Sequence, residues 1–353
     1  MAQQDCGHEA LRSSERRTLP SAHMRFVIYG AGGIGGSIGA RLHLAGQEVV
    51  LIARGEHARV MRSKGMHFVS PKLDLVLRIP TVDHPREIDF HSRDVVILCM
   101  KSQHTESALR DLSQYVDDRT PIVCCQNGVA NERMALRRFS NVYGMVVLVP
   151  AEHLRPGEVV NFADSKAGML DAGRYPFGID QTVKEITAAI DLAGFSSQPN
   201  EKIMRLKYSK LLANLNNAVQ AVTGEGSREV SRLMREEALA CFKVAGIECA
   251  TTEENQLRRS GIVGGSVPGH ERHGGSSLQS VMRGTGNIEA DYLNGEIVQL
   301  GRLHGIPTPA NTVVQRAANQ LIKQNQSTGQ TTIAELERLI GVESASSSSE
   351  PIS

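Results

Sequence analysis

The chain has 353 residues, of which 41% are apolar and 22% charged, a length and composition that suit two packed globular domains. Its formal net charge of +1 and its aromatic content of 4% argue against a nucleic-acid-binding protein. No apolar run reaches the roughly 18 residues of a membrane-spanning helix, so we expect neither a nucleic acid nor a membrane as partner.

The two ends of the chain carry little that could pack. Residues 1–23 have no apolar centre, which excludes a secretory signal, and their three acidic residues are untypical of a transit peptide. Residues 342–353 are rich in serine. We therefore expect a disordered extension before Met24 and a disordered tail from residue 342.

From residue 24 to 198, apolar runs alternate with helical stretches. The runs are continuous, which is typical of strands buried on both faces of a parallel sheet. The sequence predicts a doubly wound, Rossmann-type α/β domain with a small hairpin insertion around Pro71. The predicted strands are RFVIYG, EVVLIAR, DVVILCMK, PIVCCQNG and NVYGMVVLV, and the hairpin is MHFVS with LDLVLRIPTV.

The first predicted strand runs into the turn GAGGIG and then into a helix. In this setting a G-x-G-x-x-G pattern is typical of dinucleotide binding. Gly30 makes the tight turn, Gly32 lets the backbone approach a pyrophosphate, and Gly35 lets the helix pack on the strand. The N-terminus of the helix that follows, SIGARLHLAG, offers backbone N–H groups to the phosphate, and Gly33 and Ile34 are further candidate cofactor-binding residues in the turn.

The end of the second predicted strand discriminates between the two nicotinamide dinucleotides. An NAD site usually has Asp or Glu there, whereas this chain has Arg54, with Arg59 and Arg62 beyond it and Glu56 as the nearest carboxylate. A guanidinium matches a 2′-phosphate in shape and charge, so we expect NADPH as the cofactor. The alternative is that Arg54 is a solvated surface charge.

The six cysteines form no C-x-x-C pair, and Cys99, Cys124 and Cys125 lie in apolar runs, where a reduced thiol packs as a small apolar side chain. We expect a reducing, cytoplasmic location. His270 and His273 lie three residues apart in a glycine-rich stretch, where histidines are more often solvated than metal-bound, so we expect no metal site.

Beyond residue 198 the pattern is helical up to residue 341, interrupted by the glycine-rich stretch SGIVGGSVPGHERHGGSS. The sequence predicts an all-helical substrate domain over 199–341 and a cleft between the two domains, where small-molecule sites are common. The predicted helices are EKIMRLKYSKLLANLNNAVQAV, SREVSRLMREEALACFKVAG, NIEADYLNGEIVQLGRLHG and NTVVQRAANQLIKQ.

Five motifs follow one another in the order and spacing of a known family. They are GAGGIG, VVILCMKSQHT, CCQNGVANE, YSKLLANL and the segment SSLQSVMRGTGNIEADYLNGEIVQLGRLHGIPTP. Over residues 24–325 the chain resembles the ketopantoate reductase family (2-dehydropantoate 2-reductases). The resemblance implies NADPH-dependent reduction of a small 2-oxoacid, with 2-dehydropantoate as the lead substrate.

The resemblance also implies a role for each matching residue. Lys210 matches the general acid of the family, and Glu289 matches the acid that binds the substrate hydroxyl. One extra residue before Glu289 leaves two serines equally matched to the one that holds the substrate carboxylate. The remaining matches, on the cofactor or substrate side, are Lys101, Asn127, Asn214 and either Ser276 or Ser277.

Elementary chemistry agrees with these roles. Lys101 and Asn127 end strands of parallel type, outside which ligands bind, and Lys210 and Asn214 project from one helix face. Hydride addition to a ketone leaves an alkoxide, which a lysine ammonium can stabilise and protonate. Burial or a neighbouring cation would lower the pKa of Lys210, whereas Glu289 nearby would oppose that. Taken singly, Lys210 also fits a surface lysine, and Glu289 fits an acid at a helix N-terminus.

The chain departs from the family at two points. Members usually carry a second asparagine eight residues after the lysine, where this chain has Ala218, with Asn217 one position earlier. The usual tryptophan before the lysine is missing, and Tyr208 lies two residues ahead. Because loss of a polar contact changes substrate preference strongly, the reductase chemistry is better supported than 2-dehydropantoate as the substrate.

Two alternative functions stay open. The first is a β-hydroxyacid-dehydrogenase-like oxidoreductase, whose glycine turn usually continues into Met-Gly. The second is a non-catalytic NADPH-binding sensor, which has no need of Lys210 and Glu289. We also consider a homodimer formed through the helical domain.

Overall fold

A computed structural model describes residues 24–272, 277–278, 281, 288–324 and 326–349. The apolar runs of the N-terminal half form a seven-stranded sheet, in which every neighbouring pair is parallel except the last one at one edge. In spatial order its strands are β11 (Ala172–Arg174), β8 (Val142–Met145), β7 (Ile122–Cys124), β6 (Asp94–Leu98), β1 (Arg25–Tyr29), β2 (Glu48–Ile52) and β5 (Thr81–Val82).

Helices cover this sheet, which explains why strand β6 is buried along its whole length. The predicted doubly wound, Rossmann-type class is thereby confirmed. The helices of this half are α1 (Gly33–Leu44), α2 (Gly55–Lys64), α3 (Thr105–Leu112), α4 (Asn131–Leu136) and α5 (Gln181–Leu192).

A second sheet of four strands lies beside the first. The predicted hairpin is present in it, but it pairs in parallel with a strand about 90 residues later, which the sequence did not predict. This sheet packs on α1, where a Cβ on Gly36 would lie 2.6 Å from the Val159 side chain. Its strands, in spatial order, are β4 (Leu73–Leu77), β3 (Met66–Ser70), β10 (Glu158–Asn161) and β9 (Ala151–Glu152).

The C-terminal half is helical, as predicted, with three differences, one of which is an additional last helix, Ile333–Ser349. The long helix predicted over 201–222 is divided at Leu215. A further helix, whose N-terminus has a capping box between Thr251 and Glu254, precedes the glycine-rich segment. The helices are α6 (Ile203–Asn214), α7 (Asn216–Thr223), α8 (Arg228–Ala245), α9 (Thr252–Arg259), α10 (Asn294–His304), α11 (Pro309–Lys323) and α12 (Ile333–Ser349).

The helical half has an apolar core of its own, built around residues such as Leu211, Phe242 and Ile297. This supports the division at residue 198, which we propose from the sequence. The sequence also predicts a disordered tail from residue 342, whereas α12 continues to Ser349, since Ile340 is buried and Glu343 pairs with Arg316 at 3.0 Å. Within the described part of the chain, every helix is too short or too polar to cross a bilayer.

Candidate active site

The strands β1, β6 and β7 end at one edge of the large sheet and open into a cleft. The glycine turn follows β1, Lys101 follows β6, and Asn127 follows β7. Glu289, from the helical half, lines the same part of the cleft as Lys101 and Asn127. The topology therefore brings these sequence-predicted residues together, because the carboxyl ends of parallel strands meet at one edge.

The glycine turn forms a cradle that side chains would fill. Gly30 has φ +100°, and a Cβ on it would lie 2.7 Å from the backbone nitrogen of Met100. A Cβ on Gly35 would lie 2.3 Å from the carbonyl oxygen of Gly30, so this glycine permits close packing of α1 on β1. A Cβ on Gly32 would meet nothing within 4 Å, and the N-terminus of α1 has no acidic first-turn residue and no side-chain cap. Open backbone beside a helix N-terminus fits the pyrophosphate of a dinucleotide.

His57 connects the glycine turn to the loop before β10 through two hydrogen bonds. Its Nε2 lies 2.8 Å from the carbonyl oxygen of Ala31, and its Nδ1 accepts a hydrogen bond of 2.8 Å from the backbone N–H of Gly157. These two contacts fix a neutral ring with the proton on Nε2, and burial lowers the pKa of His57. The imidazole ties the turn to the second sheet.

Arg54 lines the cleft beyond the cradle, next to Ala53 and Gly32. The other two arginines in this region are occupied: Arg59 bonds to Glu56, and Arg62 lies 3.1 Å from Asp83. Among the described residues no carboxylate lines this end of the cleft. Arg54 is therefore a cation that remains available to a ligand phosphate.

Lys210 and Asn214 line a cavity of about 440 Å³ that adjoins the cradle through Ile34 and Asn127. Both project from the same face of α6, as their spacing predicts. The amide nitrogen of Asn214 is buried and has no partner in the described part of the chain. The cavity is within the size range of small-molecule sites.

Burial, together with the positive charges of Arg259 and Arg272, lowers the pKa of Lys210 to about 8. The expected opposing effect of Glu289 on the pKa of Lys210 is not found. The charge that acts on Glu289 is instead that of Lys101. Neither arginine was singled out from the sequence. Each lies among other polar residues in a stretch with no motif, and only the fold brings them to the cavity.

Glu289 is buried and bonds across the domain boundary to Ser102. Its Oε1 accepts hydrogen bonds from the backbone N–H of Ser102 at 3.0 Å and from its hydroxyl at 3.1 Å. Burial raises the pKa of Glu289, while these hydrogen bonds and the charge of Lys101 oppose the rise. Asn131 donates to the Ser102 hydroxyl and to the carbonyl oxygen of Asn127, which fixes the loop after β7.

Lys207, three residues before Lys210 on α6, is a further residue that the sequence analysis missed. Its ammonium is 2% exposed and lies 2.6 Å from the Glu132 carboxylate. It also donates to the carbonyl oxygens of Cys124 and Gln126, at 3.2 and 2.9 Å. Lys207 therefore anchors α6 to the loop that carries Asn127. A lysine on a helix is normally expected at the surface, so nothing in the sequence pattern indicated this buried role.

The departures from the family motif have structural explanations. Asn217 lies seven residues after Lys210 and three after Asn214, on the same helical face, and lines the cavity with them, while Ala218 is buried in the helical core. Tyr208 packs edge-on against Phe242, with ring centroids 5.3 Å apart, and belongs to the core. Of the two candidate serines, Ser277 is buried and Ser276 lies outside the described residues.

Comparison with known proteins agrees with this arrangement. The sequence profile described as "Ketopantoate reductase PanE/ApbA" matches residues 26–172, and its C-terminal counterpart matches residues 202–322. The chain belongs to the ketopantoate reductase family. This confirms the predicted family and, with it, the predicted class of oxidoreductase and a nicotinamide dinucleotide as its cofactor.

Individual relatives in this family are distant. A 2-dehydropantoate 2-reductase of Pyrococcus horikoshii is 25% identical over 312 residues, covering 87% of this chain and 99% of that protein. One of Halobacterium salinarum is 27% identical over 301 residues, covering 81% and 95%. A crystal structure of a PanE/ApbA family ketopantoate reductase from Ralstonia eutropha superimposes with a TM-score of 0.72 at 25% identity, covering 86% and 99%.

A D-mandelate dehydrogenase, solved with NADH and anilino(oxo)acetate, has the same fold. It superimposes with a TM-score of 0.73 at 22% identity, covering 86% of this chain and 99% of that one. Family membership thus fixes the fold and the class of chemistry, and the residues of the cavity must decide the substrate.

Proposed function

We propose that the protein reduces a 2-oxoacid to a 2-hydroxyacid with NADPH, with Lys210 as the general acid. The observation that carries the proposal is that one cleft combines a dinucleotide cradle with a lysine whose pKa is lowered to about 8. 2-Dehydropantoate is the substrate that the names of the relatives give, and it is the first 2-oxoacid to test.

The cleft fits the cofactor along its length. Backbone N–H groups of Gly32, Gly33 and Ile34 at the start of α1 would hold the pyrophosphate, and Arg54 would bind a 2′-phosphate. Lys101 and Asn127, at the ends of β6 and β7, would face the ribose and nicotinamide. Because Arg54 has no carboxylate beside it, the site favours NADPH over NADH.

When bound, the nicotinamide supplies a hydride to the carbonyl carbon of the substrate. Lys210 holds a proton where the oxygen of that carbonyl becomes an alkoxide, and its ammonium stabilises the negative charge before it delivers the proton. A pKa near 8 keeps the amine largely protonated at neutral pH and makes the proton easy to release. Solvent then reprotonates the amine.

The neighbouring polar groups orient the substrate. The unpartnered amide of Asn214, with Asn217, can donate hydrogen bonds to the carbonyl or carboxylate oxygens of a 2-oxoacid. Glu289 would accept a hydrogen bond from the hydroxyl of the substrate, and its bonds to Ser102 hold it in place. Ser277 or Ser276 is the further candidate for the substrate carboxylate.

The test is a set of 2-oxoacids, including 2-dehydropantoate, offered to the purified protein with NADPH or NADH while cofactor oxidation is followed. We expect turnover of at least one 2-oxoacid and a preference for NADPH. Tight NADPH binding with no turnover of any 2-oxoacid would overturn the proposal and favour a sensor. Turnover of 3-hydroxyacids alone, in the oxidative direction, would favour the β-hydroxyacid dehydrogenase alternative.

We further propose a cytoplasmic homodimer. A ketopantoate reductase of Staphylococcus aureus with the same fold is described as dimeric, with a TM-score of 0.64 at 18% identity. The five cysteines in the described part of the chain are free thiols, which suits a reducing compartment. Light scattering in solution tests the dimer.

A further inference from the structure

The cavity beside Lys210 has an unusual charge balance. Three cations line it, namely Lys210, Arg259 and Arg272, whereas none of its described lining residues is an Asp or Glu. The guanidinium Nε of Arg259 is buried and, among the described residues, has no hydrogen-bond partner. Buried donors without partners cost free energy unless a ligand satisfies them, so the cavity is built for an anion.

The residues next in sequence show that this imbalance is local. Arg258 donates to the Asp171 carboxylate at 2.7 Å and to the Ser196 hydroxyl at 2.7 Å, so its charge is neutralised inside the protein. Glu271 lines a different cavity, beside Glu158, whereas Arg272 lines the cavity of Lys210. Asp171 is therefore occupied by Arg258, and Glu271 and Arg272 line different cavities.

A count of charges sets the class of ligand. Lys210 is committed to the oxygen that becomes the alkoxide, so a single carboxylate would neutralise only one of the two remaining arginines. The guanidinium of Arg272, which is exposed, would then have no anionic partner in the cavity. A second anionic group on the substrate removes that imbalance.

We propose that the substrate is a 2-oxoacid with a second negatively charged group, such as a 2-oxodicarboxylate, held by Arg259 and Arg272 together. The proposal rests on the 2-oxoacid reductase function proposed above and names its substrate class. Arg259, on α9 with its Nε buried, binds the carboxylate nearer the reacting carbon, and the more exposed Arg272 binds the distal group. Within this class the proposal ranks dianionic substrates above monoanionic 2-dehydropantoate.

Two substrates of equal carbon number isolate the distal charge. 2-Oxoglutarate and 2-oxopentanoate differ only in a carboxylate against a methyl group at the far end. For the unaltered protein with NADPH we expect kcat/KM to be about 10- to 100-fold higher for 2-oxoglutarate, which is the range of one charged hydrogen bond. Equal values, or a preference for 2-oxopentanoate, would overturn the proposal while leaving the 2-oxoacid reductase function intact.

Variants of the two arginines assign the contacts. Arg272→Gln should remove the preference for 2-oxoglutarate by lowering its kcat/KM about tenfold, with little change for 2-oxopentanoate. Arg259→Gln should lower kcat/KM for both substrates. Arg235→Gln, at an exposed arginine of α8 outside the cavity, is the matched control and should change neither value. A preference that survives Arg272→Gln contradicts the assignment.

A binding measurement decides the proposal even without turnover. Calorimetric titration of each oxoacid into the complex with NADP⁺, which cannot donate a hydride, should give a Kd for 2-oxoglutarate about 10-fold or more below that for 2-oxopentanoate. If this preference is present but no 2-oxoacid is reduced, the reductase function fails and the anion selectivity stands. If the two ligands bind equally, the selectivity fails whatever the turnover.

Discussion

The two lysines of α6 lie one helical turn apart and have opposite environments. Lys207 is buried against Glu132 and three backbone carbonyl oxygens, the third being that of Met145 at 3.3 Å. Lys210 faces the cleft, where its nearest charged neighbours are Arg259 and Arg272. One lysine therefore stabilises the scaffold, and the other, whose pKa is lowered, is the proton donor that we propose.

The same contrast recurs elsewhere in the cleft. Arg258 pairs with Asp171, whereas its neighbour Arg259 has a buried nitrogen without a partner among the described residues. Arg59 pairs with Glu56, whereas Arg54 lines the cleft. Arg258 and Arg59 are thus neutralised within the protein, whereas Arg259 and Arg54 are the cations that the proposed ligands would neutralise.

The largest effect is expected on removing the scaffold lysine. Lys207→Met leaves the Glu132 carboxylate buried without its partner, which costs about 3–5 kcal/mol in the free energy of unfolding. Urea unfolding measures the change, and the double variant Lys207→Met with Glu132→Leu should recover part of it. A loss below about 1 kcal/mol would show that the pair does not anchor α6.

Removing the cleft lysine, Lys210, should lower activity and leave stability intact. Lys210→Met should lower kcat by about 100-fold or more, the effect typical of losing a general acid, while the Kd for NADPH stays nearly unchanged. The free energy of unfolding should not fall, because the variant removes a charge that its surroundings disfavour. Steady-state kinetics with cofactor titration checks this, and full activity in the variant would reject Lys210 as the acid.

The sequence was informative wherever function imposes a local pattern. The strand, glycine turn and helix around Gly30 to Gly35 are contiguous, and residues at the ends of parallel strands, such as Lys101 and Asn127, meet by topology alone. For the same reason, the four-residue spacing of Lys210 and Asn214 placed both side chains in one cavity.

What the sequence could not predict depends on contacts between distant segments. The Lys207–Glu132 pair joins residues 75 positions apart, and nothing near either one announces it. The parallel pairing of β3 with β10 likewise joins two segments that are far apart in sequence, and neither segment carries a pattern that indicates the other.

The pH dependence of kcat/KM tests whether the arginines of the cleft act on Lys210. In the proposed mechanism Lys210 acts in its protonated form, so kcat/KM for reduction should be constant below pH 8 and fall about tenfold per pH unit above it. Arg259→Gln removes a positive charge that disfavours the ammonium, so the fall should move to higher pH, by up to about one unit. A fall at the same pH in the variant would mean that Arg259 does not act on Lys210.

The smallest effect is expected at the far end of the cleft, where Arg54 and Arg59 form the matched pair. Arg54→Gln should raise the KM for NADPH about tenfold and leave that for NADH unchanged, because only the 2′-phosphate loses a charged hydrogen bond. Arg59→Gln should leave the NADPH-to-NADH ratio unchanged, since Arg59 is bonded to Glu56 on the surface. Initial rates with the two cofactors give both ratios. A lower preference for NADPH over NADH in Arg59→Gln but not in Arg54→Gln would mean that Arg59, which Glu56 already neutralises, binds the 2′-phosphate. The contrast between scaffold and cleft charges would then fail at this position.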